Sequence, residues 1–325
     1  MLKRKFIPAL LCLTLTAPLA AGCTKTPQSP GNSDKISVVC TIFPQYDWAK
    51  QVIGENENVD LTLLVDNGTD FHSYQPGTDD IVTISSCDVL VYVGGSADSW
   101  IEEALVNAAN PDMIKLNLTE IMGGSLKTEA CINGEEDHDH EHDHEEAAYD
   151  EHVWLSLKNA MLFTNAISSA MCTADGEHAE IYQANAQRYF TELQEADAAF
   201  TETVQNAERQ VLLFGDRFPF RYLTEDYGLT CYAAFPGCSA ETDASFETIV
   251  FLAGKMDEHQ LPAVCTIDGS DSNIADAVIS NTADQNQNIL TLNSMQSVSR
   301  EQIDSGITYL SIMEENLAVL SEALN

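Results

Sequence analysis

Basic residues are scarce in this chain: 15 Lys and Arg stand against 51 Asp and Glu in 325 residues, a formal charge of -36. Nucleic-acid binding needs clustered cations to meet the phosphates, so general DNA or RNA binding is excluded, and attraction of cations is favoured. Acids spread along a whole chain also keep it soluble, which accounts for most of them. The motifs of common hydrolases are scarce too. There is no G-x-S-x-G, and the one H-E-x-x-H match, His140 to His144, falls in an alternating run of histidines and acids with no apolar residue to carry it on a helix. There is no C-x-x-C pair and no fixed-period repeat. The nine cysteines, less Cys12 and Cys23 in the leader region, leave seven at irregular spacing, neither a zinc ribbon nor a disulfide framework. They read as small buried thiols, with one bridge open among Cys231, Cys238 and Cys265.

No apolar run is long enough to cross a bilayer comfortably. The run from Phe6 to Leu19, behind Lys3, Arg4 and Lys5, reads as the apolar core of a secretion signal. Its ending, "LAAGC", resembles the lipobox of bacterial lipoproteins, which makes Cys23 the expected lipidated residue. The polar stretch "TKTPQSPGNSD" then suits a tether between membrane and domain. The expected organisation is a signal peptide over 1–22, a tether over 23–34, a first α/β lobe over 35–172, a linking helix over 173–208 and a second α/β lobe over 209–325. The placement expected is extracytoplasmic, lipid-anchored and monomeric.

Within the two lobes, β-rich runs alternate with helical patterns. "ISVVCTIF", "VDLTLLVD", "DVLVYVGG" and "MIKLNLT" read as strands separated by helices. "QVLLFGD", "LTCYAAFP", "PAVCTIDG" and "NILTLNS" repeat the scheme in the second half. Such βαβ alternation builds a mostly parallel sheet covered by helices, so the fold class is α/β. "TDDIVTISS" reads as a helix capped by Thr78. The long polar-apolar segment from about Glu177 to Ala207 predicts a helix of roughly 45 Å, long enough to act as a strut between lobes.

The stretch "EEDHDHEHDHEEAAYDEHVWLS" carries His138, His140, His142 and His144 and ends with His152. Alternating histidines share no helix face, and nothing apolar is present to order them, so residues 135–151 read as a loop that captures cations rather than as a fixed site. Imidazole with carboxylate suits zinc, then copper, nickel or cobalt. A fixed site needs donors at strand ends. His72 in "DNGTDFHSYQP" follows a strand, and His152 precedes a helix with Trp154 and Leu155 to anchor it. A single histidine so placed is structural more often than not.

"GTDFHSYQP" resembles the G-x-x-P-H-x-Y-x-P loop, and "DEHVWLSLKNA" the D-P-H-x-W-L-x-P segment, of the zinc and manganese solute-binding lipoproteins of ABC importers. The resemblance implies two α/β lobes joined by one long helix and His72 and His152 as metal ligands. It further implies zinc as cargo, with manganese or another divalent transition metal as the alternative, and an ABC permease and its ATPase as partners. The second half departs from the pattern. Where the family has F-H-x-A-F-x-Y-F, with histidine or glutamate as third ligand, this chain has "LFGDRFPF", and Gly215 stands at the ligand position. The nearest substitute is Asp216, which could equally cap a helix beginning near Phe218 or pair with Arg217. The fourth ligand falls near "LTLNSMQSV", where Asn293 and Gln296 are weak oxygen donors, and Glu241 in "GCSAETDAS" is a further candidate. The function expected is capture of extracytoplasmic zinc without catalysis. The competing readings are a surface zinc buffer or adhesin of the same fold and a metallohydrolase.

Overall fold

A computed structural model describes residues 35–129, 149–239 and 243–325. The run Ile36–Cys40 forms β1, and its Val38, Val39 and Cys40 have no exposed surface, as a strand covered on both faces requires. Beside it lie β2 (Val59–Leu63), β3 (Val89–Tyr92) and β4 (Ile114–Asn117), all parallel, in the order β2-β1-β3-β4. The second half repeats this with β5 (Val211–Phe218), β6 (Thr230–Pro236), β7 (Ala263–Ile267) and β8 (Asn288–Leu292). They too are parallel, in the order β6-β5-β7-β8. Each sheet therefore reverses strand order between its first and third strands, β1 and β3 or β5 and β7, and the crevice outside the strand ends there is where such sheets place ligands.

The connecting helices end where local chemistry stops them. Helix α1 (Phe43–Ile53) closes at Gly54, whose φ of 64° suits glycine. Helix α2 (Thr78–Ser86) starts differently from the sequence expectation. Gly77 is its cap, and the Asp80 carboxylate reaches back to the Gly77 N–H at 2.7 Å, so Thr78 is the first helical residue rather than the cap. Helix α3 (Trp100–Leu105) is shorter than its apolar pattern, and α4 (Leu118–Met122) is a single turn capped by Asn117. In the second half, α7 (Arg221–Tyr227), α8 (Phe246–His259) and α9 (Asn273–Ser280) connect the strands. The short α10 (Arg300–Asp304) and α11 (Tyr309–Leu324), capped by Thr308, follow.

Between the halves run α5 (Leu157–Ala174) and α6 (Ala179–Asn206), the latter preceded by a 3-10 turn at Gly176–His178. At 28 residues, α6 is about 42 Å long. It packs on α1 and α5 and also on α7 and α11. Its Tyr182, Tyr189, Leu193, Phe200 and Val204 lie in one apolar core that takes in both sheets. At the centre, Trp48 of α1 meets Phe163 of α5 at 5.6 Å and Tyr309 of α11 at 5.2 Å, so aromatic contacts of roughly 1 kcal/mol each join the two halves directly.

Two acids are buried in the first half. Burial pushes the Asp98 carboxyl up to about 7 and that of Asp47 up to about 6, against opposing hydrogen bonds from Val93 and Gly94 and from Tyr309. A carboxyl with a raised folded-state pKa holds its proton more tightly folded than unfolded. Stability therefore falls as pH rises from about 4 through that folded value. Repulsion among the excess acids acts in the same direction. The metal-free protein is thus expected to resist urea better at pH 5 than at pH 7.5. A midpoint that rises over this interval would contradict the assignment.

Candidate metal centre

His72 and His152 are presented by the same device used twice. In the turn Phe71–Ser73 after β2, Asp70 Oδ1 accepts the His72 backbone N–H at 2.9 Å and lies 3.1 Å from His72 Nδ1. In the stretch before the turn Val153–Leu155, Asp150 Oδ1 accepts the His152 N–H at 2.9 Å and lies 3.0 Å from His152 Nδ1. An ionised carboxylate only accepts, so Nδ1 carries the proton in each ring and Nε2 keeps its lone pair. Both Nε2 atoms are buried without a hydrogen-bond partner. The rings face each other with centroids 5.1 Å apart and a 38° tilt. Two acceptor nitrogens buried side by side with nothing to accept from demand an occupant.

The surroundings hold the rings still. Trp154, fully buried and 5.1 Å from the His152 ring, donates its indole N–H to Ser294 of the second half at 2.9 Å and accepts from the Tyr309 hydroxyl through its carbonyl at 2.8 Å. Arg217 of β5 reaches Asp70 Oδ2 at 2.9 Å, so the carboxylate that orients His72 is fixed from the opposite half. Burial pushes the Asp70 carboxyl up, but the bonds from His72 and Arg217 outweigh this and hold it well below the usual carboxylate range. Beside the site opens a cleft of about 500 Å³, lined by Asp70, Asp216, Asp268 and Asp271 with Arg217 among them. That surplus of carboxylates gives an approaching cation a favourable field.

The second half contributes an unexpected neighbour. Among the described residues, donor atoms of His72, His152 and Cys238 all lie within 4.8 Å of one another. Cys238 comes just after β6, where Gly237 lies against the His152 ring. A Cβ at Gly237 would sit 2.8 Å from His152 Cε1 and 2.9 Å from the Phe218 carbonyl, so only glycine lets the loop come this close. Glu151, which stands where the resembling segment has proline, is buried beside them, with Oε1 3.9 Å from His72 Nε2 and 3.5 Å from Cys238 Sγ. Sequence reasoning passed over both residues. The signals were a cysteine directly after Gly237 and an acid in place of the D-P-H proline.

Asp216 does neither thing that the sequence suggested as alternatives to ligation. It lies within β5, and α7 begins only at Arg221, so it caps no helix. Arg217 pairs with Asp70 instead. Asp216 Oδ2 accepts the Ile267 N–H at 3.0 Å and Oδ1 the Arg217 N–H at 2.7 Å, so the carboxylate ties β5 to β7 and is not gathered with His72 and His152. Gly215 cannot carry a side chain as packed: a Cβ there would lie 2.7 Å from Ala275 Cα and 2.8 Å from Ala275 N. Asn293 accepts the Met295 N–H at 2.8 Å and shapes a turn. Gln296 is buried with both side-chain amide atoms unpartnered, and its backbone carbonyl accepts the Phe71 N–H at 3.0 Å. The candidates Glu241, His138, His140, His142, His144 and Cys23 lie outside the described residues. All the cysteines described are free, so no bridge joins Cys231, Cys238 and Cys265.

A model of the family described as zinc-uptake complex component A, periplasmic, matches residues 38–323. The chain is 28% identical over 319 residues to the high-affinity zinc uptake system protein ZnuA of Bacillus subtilis, covering 96% of this chain and 95% of that one. It is 27% identical over 316 residues to the zinc-binding lipoprotein AdcA of Streptococcus pneumoniae, covering 97% of this chain but 60% of the longer relative. Its fold matches the Zn(II)-bound ZnuA-like domain of Streptococcus pneumoniae AdcA with a TM-score of 0.68 at 24% identity, over 89% of this chain and 99% of that one. By the extent of the family match, and with two parallel sheets joined through a long helix, the chain belongs to the family of the periplasmic component A of zinc-uptake complexes.

Proposed function

We propose that this protein captures zinc outside the cytoplasm and delivers it to an ABC permease, held at the membrane by a lipid on Cys23. One observation carries the proposal: two imidazoles, each with Nδ1 anchored on a carboxylate, turn unpartnered Nε2 atoms toward each other in a buried pocket. A carboxylate-backed histidine is the donor that zinc sites use, and the backing fixes the tautomer that ligates. The relatives' names, which speak of zinc uptake and zinc binding, agree with that donor set. The acid-lined cleft draws the ion in, and the tract around His138, His140, His142 and His144 raises its local concentration. No step of the proposal breaks or makes a covalent bond, so no catalytic group is needed.

Competition against a chromophoric zinc chelator is expected to show one tight equivalent in the metal-free protein, unchanged when residues 135–146 are deleted. Loss of the tight event on that deletion would move the site to the tract. A strain lacking the gene should grow poorly in chelated medium and recover with the wild-type gene but not with His72→Ala. Unimpaired growth of the deletion strain would favour a buffer or adhesin role instead.

A further inference from the structure

We infer that Cys238 is the metal ligand supplied by the second half of the molecule, a thiolate that makes this site select thiophilic cations such as zinc and cadmium over manganese. The inference rests on the reading of His72 and His152 as a metal site and names the partner which that reading leaves open.

Among the described residues β5 brings no donor into the group formed by His72 and His152. Gly215 is packed against the backbone of Ala275, and the Asp216 carboxylate holds two backbone N–H groups. Cys238 is instead within 4.8 Å of both histidines, counted between donor atoms. Its placement is fixed from three directions. The Glu129 carboxylate accepts its backbone N–H at 2.6 Å, Gly237 lies against the His152 ring, and Sγ lies 3.5 Å from Glu151 Oε1. The fully buried His152 ring has an unpartnered Nε2 in this same cluster, an acceptor that a thiol alone leaves unused and a cation would satisfy.

Glu151 completes the case. Its side chain is 3% exposed, and among the described residues its oxygens take hydrogen bonds from neutral groups, the Ser96 hydroxyl at 2.8 Å, the Ala97 N–H at 3.2 Å and the Cys238 thiol. Among the described residues, neither lysine nor arginine is within ion-pair distance of it. A buried carboxylate without a cation is costly, and a divalent ion held by His72, His152 and Cys238 would lie beside it. Two imidazoles and a thiolate, with a carboxylate near enough to balance charge, form a donor set of the kind zinc takes. Manganese prefers oxygen donors and gains little from sulfur.

Cobalt(II) is the probe, because a thiolate ligand adds a near-ultraviolet charge-transfer band to the visible bands of the bound ion. The metal-free protein titrated with cobalt should show both features. Cys238→Ser should keep the visible bands, lose the charge-transfer band, weaken zinc binding by at least about 100-fold, and narrow the preference for zinc over manganese. Visible bands without a charge-transfer band in the wild type, or unchanged zinc affinity in the variant, would overturn Cys238 as a ligand while leaving the metal site intact. If neither cobalt nor zinc binds the wild-type protein tightly, the metal-site reading itself fails, and the inference with it. The wild-type spectrum needs no substitution, so the outcome does not depend on how the variant folds.

Discussion

His152→Ala should abolish tight zinc binding, with the dissociation constant rising by roughly 100- to 1,000-fold. Tetrahedral protein sites bind zinc with about 10–16 kcal/mol, so each of four ligands accounts for about 2.5–4 kcal/mol, and each 1.4 kcal/mol is tenfold in affinity. His152 has no exposed surface and its Nε2 has no other partner, so no neighbouring group can take its place without moving. Asp150→Asn should be milder, about 10- to 100-fold, since it leaves the ring in place but removes the carboxylate that holds its tautomer. Chelator competition reads both variants on one scale. Affinity within threefold of wild type for His152→Ala would remove the buried pair from consideration as the site.

Zinc should also stabilise the fold strongly. A ligand that binds only the folded state contributes about 4 kcal/mol at a thousandfold excess over its dissociation constant. At roughly 2–4 °C per kcal/mol for domains somewhat smaller than this one, the melting temperature should rise by about ten degrees and return to its starting value with chelator. The increase should come with little change in shape. Arg217 reaches Asp70, Trp154 reaches Ser294, Phe71 reaches Gln296, and Arg300 reaches Asp66 with both Nε and Nη2, so contacts between protein groups alone tie the two halves across the cleft. Small-angle scattering of the metal-free and zinc-loaded forms should superimpose. A melting temperature indifferent to zinc, or a large contraction on loading, would contradict this.

The parts of the molecule legible in the sequence are those governed by local pattern. Apolar runs such as Ile36–Cys40 and Val89–Tyr92 were readable as buried strands because a parallel strand covered on both faces needs little else. The period and length of the segment at Ala179–Asn206 announced the long helix. His72 and His152 were readable from their flanking residues, although the Asp-x-His device that orients both rings became evident only with the hydrogen bonds in view. Asp216 looked like a ligand because it neighbours Gly215. β5 shifts register between Phe214 and Arg217, however, and the bonds from the Ile267 and Arg217 N–H groups show where the Asp216 carboxylate is committed. Cys238 was not legible, because its closeness to His152 spans 86 residues and depends on Gly237 letting two loops from different halves touch. In its own neighbourhood only the preceding Gly237 sets it apart from a core thiol.

The apolar core that α6 runs through also limits how such a protein can be taken apart or recombined. Trp48, Phe163 and Tyr309 come from three distant stretches of chain and bury one another completely. A gene cut near residue 178 would give two polypeptides, each exposing aromatic surface meant for the other and prone to aggregate. Exchange between relatives would face the same obstacle, since a transplanted half must match foreign side chains around Trp48 to the density of a protein interior. The donor positions themselves lie on turns at the cleft, after β2, before α5 and after β6, rather than among Trp48, Phe163 and Tyr309. Changes of cargo should therefore arise by substitution at loop positions such as Glu151 and Cys238, on a body inherited whole.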